Sequence, residues 1–250
     1  MTRGILITGN DSSLFSAVAG ETAKRVESFA TALIPNRFPL PEGGRAVQEK
    51  DEINGNLALS WNPSSSISAR TLVLAAENRL GQINDAIIIC SPPAVYKTAE
   101  TLSPEEIEIL VNDQIKGWFL LIRELIIYFR REQRGSLSLV APEEASQGEK
   151  WTASSVRLNQ SGKNASGKQG WNRVSQADLL GPSAGASFRA FAQGILNSHG
   201  NEPFHIMGFT GAEAGAEEEF ASWFFKTLDE GSAKNRGRWL KFSKRKIFNF

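Results

Sequence analysis

Gly4-Ile-Leu-Ile-Thr-Gly-Asn-Asp-Ser-Ser-Leu-Phe-Ser-Ala-Val-Ala19 decides the fold. Ile5, Leu6 and Ile7 form a short apolar run, the pattern of a strand covered on both faces. Thr8-Gly9 interrupts it, and Asp11, Ser12 and Ser13 are residue types that cap helix N-termini. Leu14, Ala17 and Val18 then recur at helical spacing. A buried strand, a tight turn and a helix, in that order, open a mainly parallel sheet flanked by helices.

Working outward, the same alternation repeats. A helix over roughly 14–27 leads to a strand at Phe29–Ile34. Pro39 to Gly55 is polar and rich in Gly, Pro and charge, hence a loop. Asn56–Leu59 reads as a third strand. Leu72, Ala75, Ala76 and Leu80 mark an amphipathic helix that Gly81 closes. Ile83–Cys90 is a fourth strand. Ser103-Pro104-Glu105-Glu106 is a helix start, with a cap, a proline and acids in the first turn. The helix it opens runs to about Gln133, and its stripe from Ile107 through Phe119 to Phe129 is broad enough to face the sheet and a partner. Gly135–Val140, Phe204–Phe209 and Trp239–Phe242 read as strands, and Gly185–Leu196 and Glu217–Leu228 as helices. The expected architecture is one α/β domain over 1–250, a Rossmann-like, doubly wound, mainly parallel seven-stranded sheet with helices on both faces. The polar, glycine-rich segment 143–180 is an insertion in it.

Composition narrows the function classes. With 250 residues, 41% hydrophobic and 22% charged, the chain can bury a sizeable core. A net charge of +1 gives no global basic field for nucleic acid. The lone Cys90 excludes an internal disulfide, and with only His199 and His205 a metal centre is not expected. Asn10-Asp11-Ser12-Ser13 breaks the first apolar run, so no secretory leader is expected, and no stretch reaches the ~20 apolar residues of a membrane span. A cytoplasmic location follows as the expectation.

Several motifs have ordinary explanations. Gly162 to Lys168 has the Gly-x4-Gly-Lys spacing of a phosphate loop, but Gln169 follows where Ser or Thr is needed, so it reads as a basic loop. Trp151 and Trp171 in the insertion either fold it over the cleft or anchor a partner. Cys90 reads as a small buried hydrophobe, and His199 as part of a helix end.

The opening turn resembles that of the short-chain dehydrogenase/reductase family, Thr-Gly-x-x-x-Gly-x-Gly. Thr8 and Gly9 match, whereas Ser13 and Phe15 stand at the later glycines. Leu80 to Ile89 resembles the family's approach to Asn-Asn-Ala-Gly, which has become Ile89-Cys90-Ser91-Pro92. Val111 to Phe119 resembles its "vNvNlkGvf" segment. Ser60 stands where an acidic residue usually holds adenine. Family members that prefer NADP place an arginine where Arg37 falls; the alternative is a solvated loop arginine.

The resemblance implies a cofactor site at Thr8, Gly9, Ser12 and Arg37, and a catalytic Asn, Ser, Tyr and Lys. The tyrosine exchanges a proton with the substrate oxygen, and the lysine lowers its pKa. Gly135 to Pro142 resembles the family's "GxivniSS" and Gly181 to Ala192 its "YxxxKaaxxaft"; with the Val111 to Phe119 match, those roles fall at Gln114, Pro142, Gly181 and Gly185, none of which can fill them. The leading expectation is therefore a pseudoenzyme of this family with no catalytic residues and no cofactor, acting as a binding, regulatory or structural partner. It would form a homo-oligomer or hetero-oligomer through helices 103–133 and 185–198, without nucleic acid or membrane. The alternatives are an NAD(P)(H)-dependent oxidoreductase with relocated catalytic groups and a nucleotide sensor without turnover, each with NADP(H) at this site.

Overall fold

Ile5–Gly9 (β1) is wholly buried, as its apolar run requires. The computed structural model describes residues 3–35, 37, 55–93, 95, 97, 99–141, 180–211, 215–230 and 235–243. The remaining strands are Phe29–Leu33 (β2), Asn56–Leu59 (β3), Asp85–Ile89 (β4), Ser136–Ala141 (β5), His205–Thr210 (β6) and Trp239–Lys241 (β7). They form one seven-stranded sheet in the order β3-β2-β1-β4-β5-β6-β7, and every pairing is parallel. The expected doubly wound sheet is present. Its order turns at β1, which pairs with β2 on one side and β4 on the other.

Helices cover both faces because the strands are apolar on both. Ser66–Leu80 (α2), Gly117–Glu132 (α4) and Leu180–Ser198 (α5) lie on one face. There Leu72, Trp118, Leu121, Phe129 and Phe188 pack on Leu6, Ile88 and Leu139. Ser13–Ala23 (α1) and Glu217–Asp229 (α6) cover the other, with Phe15, Val18, Phe220, Phe224 and Phe225 on Ile5, Ile7, Ile87 and Phe209. Each such side chain contributes about 1.5–3 kcal/mol by leaving water.

Gly208 shows how tightly the far edge is built. A Cβ there would overlap the Trp239 ring, whose Nε1 donates to Thr210 Oγ1 at 2.8 Å. Only a glycine lets the indole lie flat on β6.

The expected continuous helix over 103–133 is interrupted. Pro104–Leu110 (α3) and α4 are joined by a π-helical turn over Val111–Lys116. One extra residue enters the turn, so the two flanks present different faces. The start was correctly read: Ser103 Oγ accepts from Glu106 N, and the Glu106 side chain accepts from Ser103 N, a complete capping box. The helix expected to begin at Gly185 begins at Leu180, and the first helix ends at Ala23 instead of near 27, where Arg25 N turns back to Thr22 O. The insertion 143–180 lies outside the described residues except for Leu180, the first residue of α5.

Candidate functional site

In an open parallel sheet, ligands sit beyond the carboxyl ends of the strands, at the point where strand order reverses. Here that point lies between β1 and β4. Gly9 ends β1, and its carbonyl accepts from Ile34 N at 2.9 Å. Asn10 Oδ1 accepts from Ser91 N at 3.3 Å, so one side chain spans the notch between the two strand ends. Thr8 is buried just below, and its Oγ1 has no hydrogen-bond partner.

The first turn of α1 is occupied by the protein's own groups. Ser12 Oγ accepts from Phe15 N at 3.2 Å, so the hydroxyl expected at a cofactor is the helix N-cap. The Phe15 ring is buried against Gly9, where a Cβ would stand 2.8 Å from Phe15 Cδ2 and 2.9 Å from Ile89 O. Gly9 therefore serves close packing of a core ring. Ser13 Oγ donates to Glu217 Oε1 at 2.9 Å, and Gly215 N donates to Glu217 Oε2 at 2.8 Å. Backbone N–H groups at the start of α6, its own first, and then the Ser13 hydroxyl hold the Glu217 carboxyl below its ordinary range. The N-termini of α1 and α6 thus share a carboxylate.

Arg37, expected at a 2′-phosphate, faces the protein. Its Nη2 donates to Asn62 Oδ1 at 2.9 Å, and its Nε lies 3.4 Å from Asp113 Oδ2. Asp113 sits in the π turn, is 1% exposed, and neither carboxylate oxygen has a hydrogen bond. Burial pushes its carboxyl up, and the Arg37 charge pulls the other way. Gln114, beside it, is also buried, and its Oε1 is unpartnered. The π turn is close-packed from outside as well: a Cβ on Gly117 would meet the Pro63 side chain at 2.6 Å.

The remaining positions are consistent with their sequence. Gly181 and Gly185 are buried on the first turns of α5. Pro142 lies outside the described residues. Cys90 is buried against Trp118, and burial pushes its thiol up, as fits an inert core residue. His199 Nδ1 lies 3.1 Å from Ile195 O at the end of α5. Among the described residues no group of three or more His, Cys, Asp or Glu could hold a metal, and no helix is long and apolar enough to cross a membrane. Two functional groups escaped the sequence reading, Asp113 and Glu217. Glu217 stood only as the first residue of an expected helix, and Asp113 as one residue inside a matched segment.

No family model matches the chain, and no curated protein matches it. Solved structures do match. A short-chain dehydrogenase from Mycobacterium smegmatis superposes with a TM-score of 0.68 at 12% identity, covering 98% of this chain and 93% of that one. An NADH-dependent reductase solved with NAD gives 0.65 at 12% identity, covering 96% and 95%. A metagenomic short-chain oxidoreductase solved with NADP gives 0.65 at 9% identity, covering 97% and 98%. The chain therefore has the fold of short-chain dehydrogenases/reductases along nearly its whole length. At this identity the likeness is one of fold.

Proposed function

We propose that this chain is a short-chain dehydrogenase/reductase-fold protein that has left oxidoreductase chemistry and acts as a binding or structural partner. The carrying observation is the pair of buried glycines, Gly181 and Gly185, on the helix where the phenol and amine of the reaction belong. Neither can move a proton, and Gln114 with its buried, unpartnered oxygen does not restore the path. The residues at the α1 turn do not fit a dinucleotide. The Phe15 ring packs on the backbone that a pyrophosphate approaches, and the Glu217 carboxylate beside Ser13 would repel it.

Exposed apolar side chains on the helices named for assembly support the partner role. Ile107 and Val111 are 44% exposed and Ile127 45%, and the partly buried Phe119 stacks on Phe191 at 3.7 Å between α4 and α5. A homo-oligomer or a hetero-oligomer through α3–α4 and α5, in the cytoplasm, is part of this reading. Calorimetry with NADPH and NADH, a carbonyl substrate panel and sedimentation equilibrium test it together. The expected result is no dinucleotide binding, no turnover and an assembly larger than the monomer. NADPH oxidation with any substrate would overturn it.

A second reading keeps NADP(H). Arg37 follows β2 by four residues, where many family members that prefer NADP place an arginine, and two of the structural neighbours were solved with NAD or NADP. Binding with turnover in the same calorimetry would favour a reductase with relocated groups. Binding without turnover would favour a nucleotide sensor.

A further inference from the structure

The amino ends of β4, β5 and β6 carry a second polar site, at the opposite end of the strands from the crevice. Asp85, Ser136 and His205 are register partners on three adjacent parallel strands. Side chains alternate along a strand, so these three share the face of Ile87, Ile89 and Met207, the face that α1 and α6 cover. Apolar residues would be expected in that row. Instead Asp85 and Ser136 are each 6% exposed. A cavity of about 240 Å³ opens beside them, lined by Asn84, Asp85, Ser136, His205, Met207 and Leu228. At roughly 30 Å³ per molecule it has room for about eight waters, less than the ~300–1,000 Å³ of drug-sized sites.

The charges around this cavity cancel. Arg3 Nε donates to Asp85 Oδ2 at 2.5 Å and Arg3 Nη1 to Asp229 Oδ1 at 2.5 Å, while Arg25 Nη1 donates to Asp229 Oδ2 at 2.7 Å. Arg25 also donates to Glu21, which Lys24 meets in turn, so three carboxylates face three cations and no ion is called for. The hydrogen-bonding groups do not cancel. Ser136 Oγ gives its hydrogen to Asp85 Oδ1 at 2.5 Å, which leaves its lone pairs to accept. Asn84 Oδ1 accepts from Gly4 N at 2.8 Å, which leaves its amide hydrogens to donate. His205 Nδ1 is buried without a partner. A buried group left unmatched, as His205 Nδ1 is, costs about 1–3 kcal/mol, and a molecule that both gives and accepts hydrogen bonds suits a row with one such nitrogen, a hydroxyl free to accept and an amide free to donate. Met207 and Leu228 supply an apolar wall for carbon.

We propose that this cavity is a binding site for a small uncharged polyol or sugar, which gives a hydroxyl hydrogen to Ser136 Oγ, accepts from the Asn84 amide and engages His205 Nδ1. The site is independent of the dinucleotide question, because it lies at the opposite ends of the strands.

The chain has two histidines, so imidazole NMR reads the site directly, with His199 as the internal control. Glycerol, erythritol and ribose are titrated into the full-length protein, with acetate and methylammonium as charged comparisons. The expected result is a saturable shift of the His205 ring signals by at least one hydroxyl compound, with His199 and both ions silent. His205→Leu abolishes saturation transfer to the bound compound, and Leu228→Phe, which fills the cavity without touching the polar row, weakens it about tenfold or more. A His205 ring that no hydroxyl compound moves overturns the proposal, as do equal shifts from the ions, parallel movement of His199 or unchanged binding in a folded Leu228→Phe variant.

Discussion

Phe15→Ala is the sharpest perturbation of the α1 turn. Phe15 is 6% exposed and belongs to the core between α1, α6 and the sheet. Truncating a buried phenylalanine costs ~3–5 kcal/mol, as lost transfer energy plus the cavity left behind. Alanine is a better helix former than phenylalanine, which returns a few tenths of a kcal/mol at most. The net loss should stay near the lower half of that range, because the ring lies at the crevice end, where solvent can enter the space. For a chain of this size about 1 kcal/mol moves Tm by roughly 2–4 °C, so a fall of about 6–15 °C is expected. Urea denaturation gives the free energy directly, and an unchanged m-value would show that the native state alone is affected. A loss under about 1 kcal/mol would refute the packing argument. The same variant carries a second readout. If the ring alone excludes dinucleotides, NADPH binding appears in Phe15→Ala; if the Glu217 carboxylate shares the task, binding appears only when Glu217→Gln is added.

Other expectations follow from single contacts. Asp113 is a buried acid whose folded-state pKa is raised, so the folded protein holds its proton more tightly than the unfolded chain, and stability falls as pH rises through the ordinary carboxylate range. Asp113→Asn should flatten that part of the pH–stability curve and raise stability at neutral pH; a less stable variant at pH 7 would show that the Arg37 contact outweighs desolvation. Glu217 runs the other way. Its pKa is held down, so its contribution is present above the unfolded value and is lost as pH falls, and Glu217→Gln should remove an acid-side loss of stability seen by chemical denaturation. Ser103→Ala breaks the capping box of α3 and should cost about 1 kcal/mol in the same assay. Gly208→Ala should destabilise through the Trp239 ring, and Trp239→Ala should relieve most of that cost in a double-mutant cycle; additive effects would place the strain elsewhere.

The fold was legible because burial on both faces leaves a plain mark. Ile5–Ile7, Ala86–Ile89 and Leu137–Val140 are continuous or nearly continuous apolar runs, and strands this short can hardly be anything else. The π turn was not legible. Val111–Lys116 continues the helical pattern on either side, and nothing in its six residues marks an extra one; the turn packs on α5, which is distant in sequence. The crevice was half legible. Ser13 and Phe15 announced that the glycine turn had changed. The partner at Ser13 is Glu217, 204 residues away, and Arg37 met Asp113 through a loop and a helix that no local pattern connects. The polar row Asp85, Ser136, His205 was invisible for the same reason, since register between strands is set by the whole sheet.

The π turn has a consequence for how this chain can change in length. Removing one residue between Val111 and Lys116 would let α3 and α4 fuse into one regular helix, yet it would rotate α3 by about 100° and draw it ~1.5 Å along the axis. Leu110 would then swing away from Leu180 and Ala184, which it now meets at the start of α5, and Glu106 away from Lys97. The surplus residue acts as a phase shifter: it sets the rotational angle at which the amino-terminal end of the long helical arm is presented. A one-residue deletion here would leave the sheet intact, turn the exposed Ile107 to a new direction and break the inward contacts of α3 at the same time, so the inner and outer faces of this arm cannot be re-aimed separately.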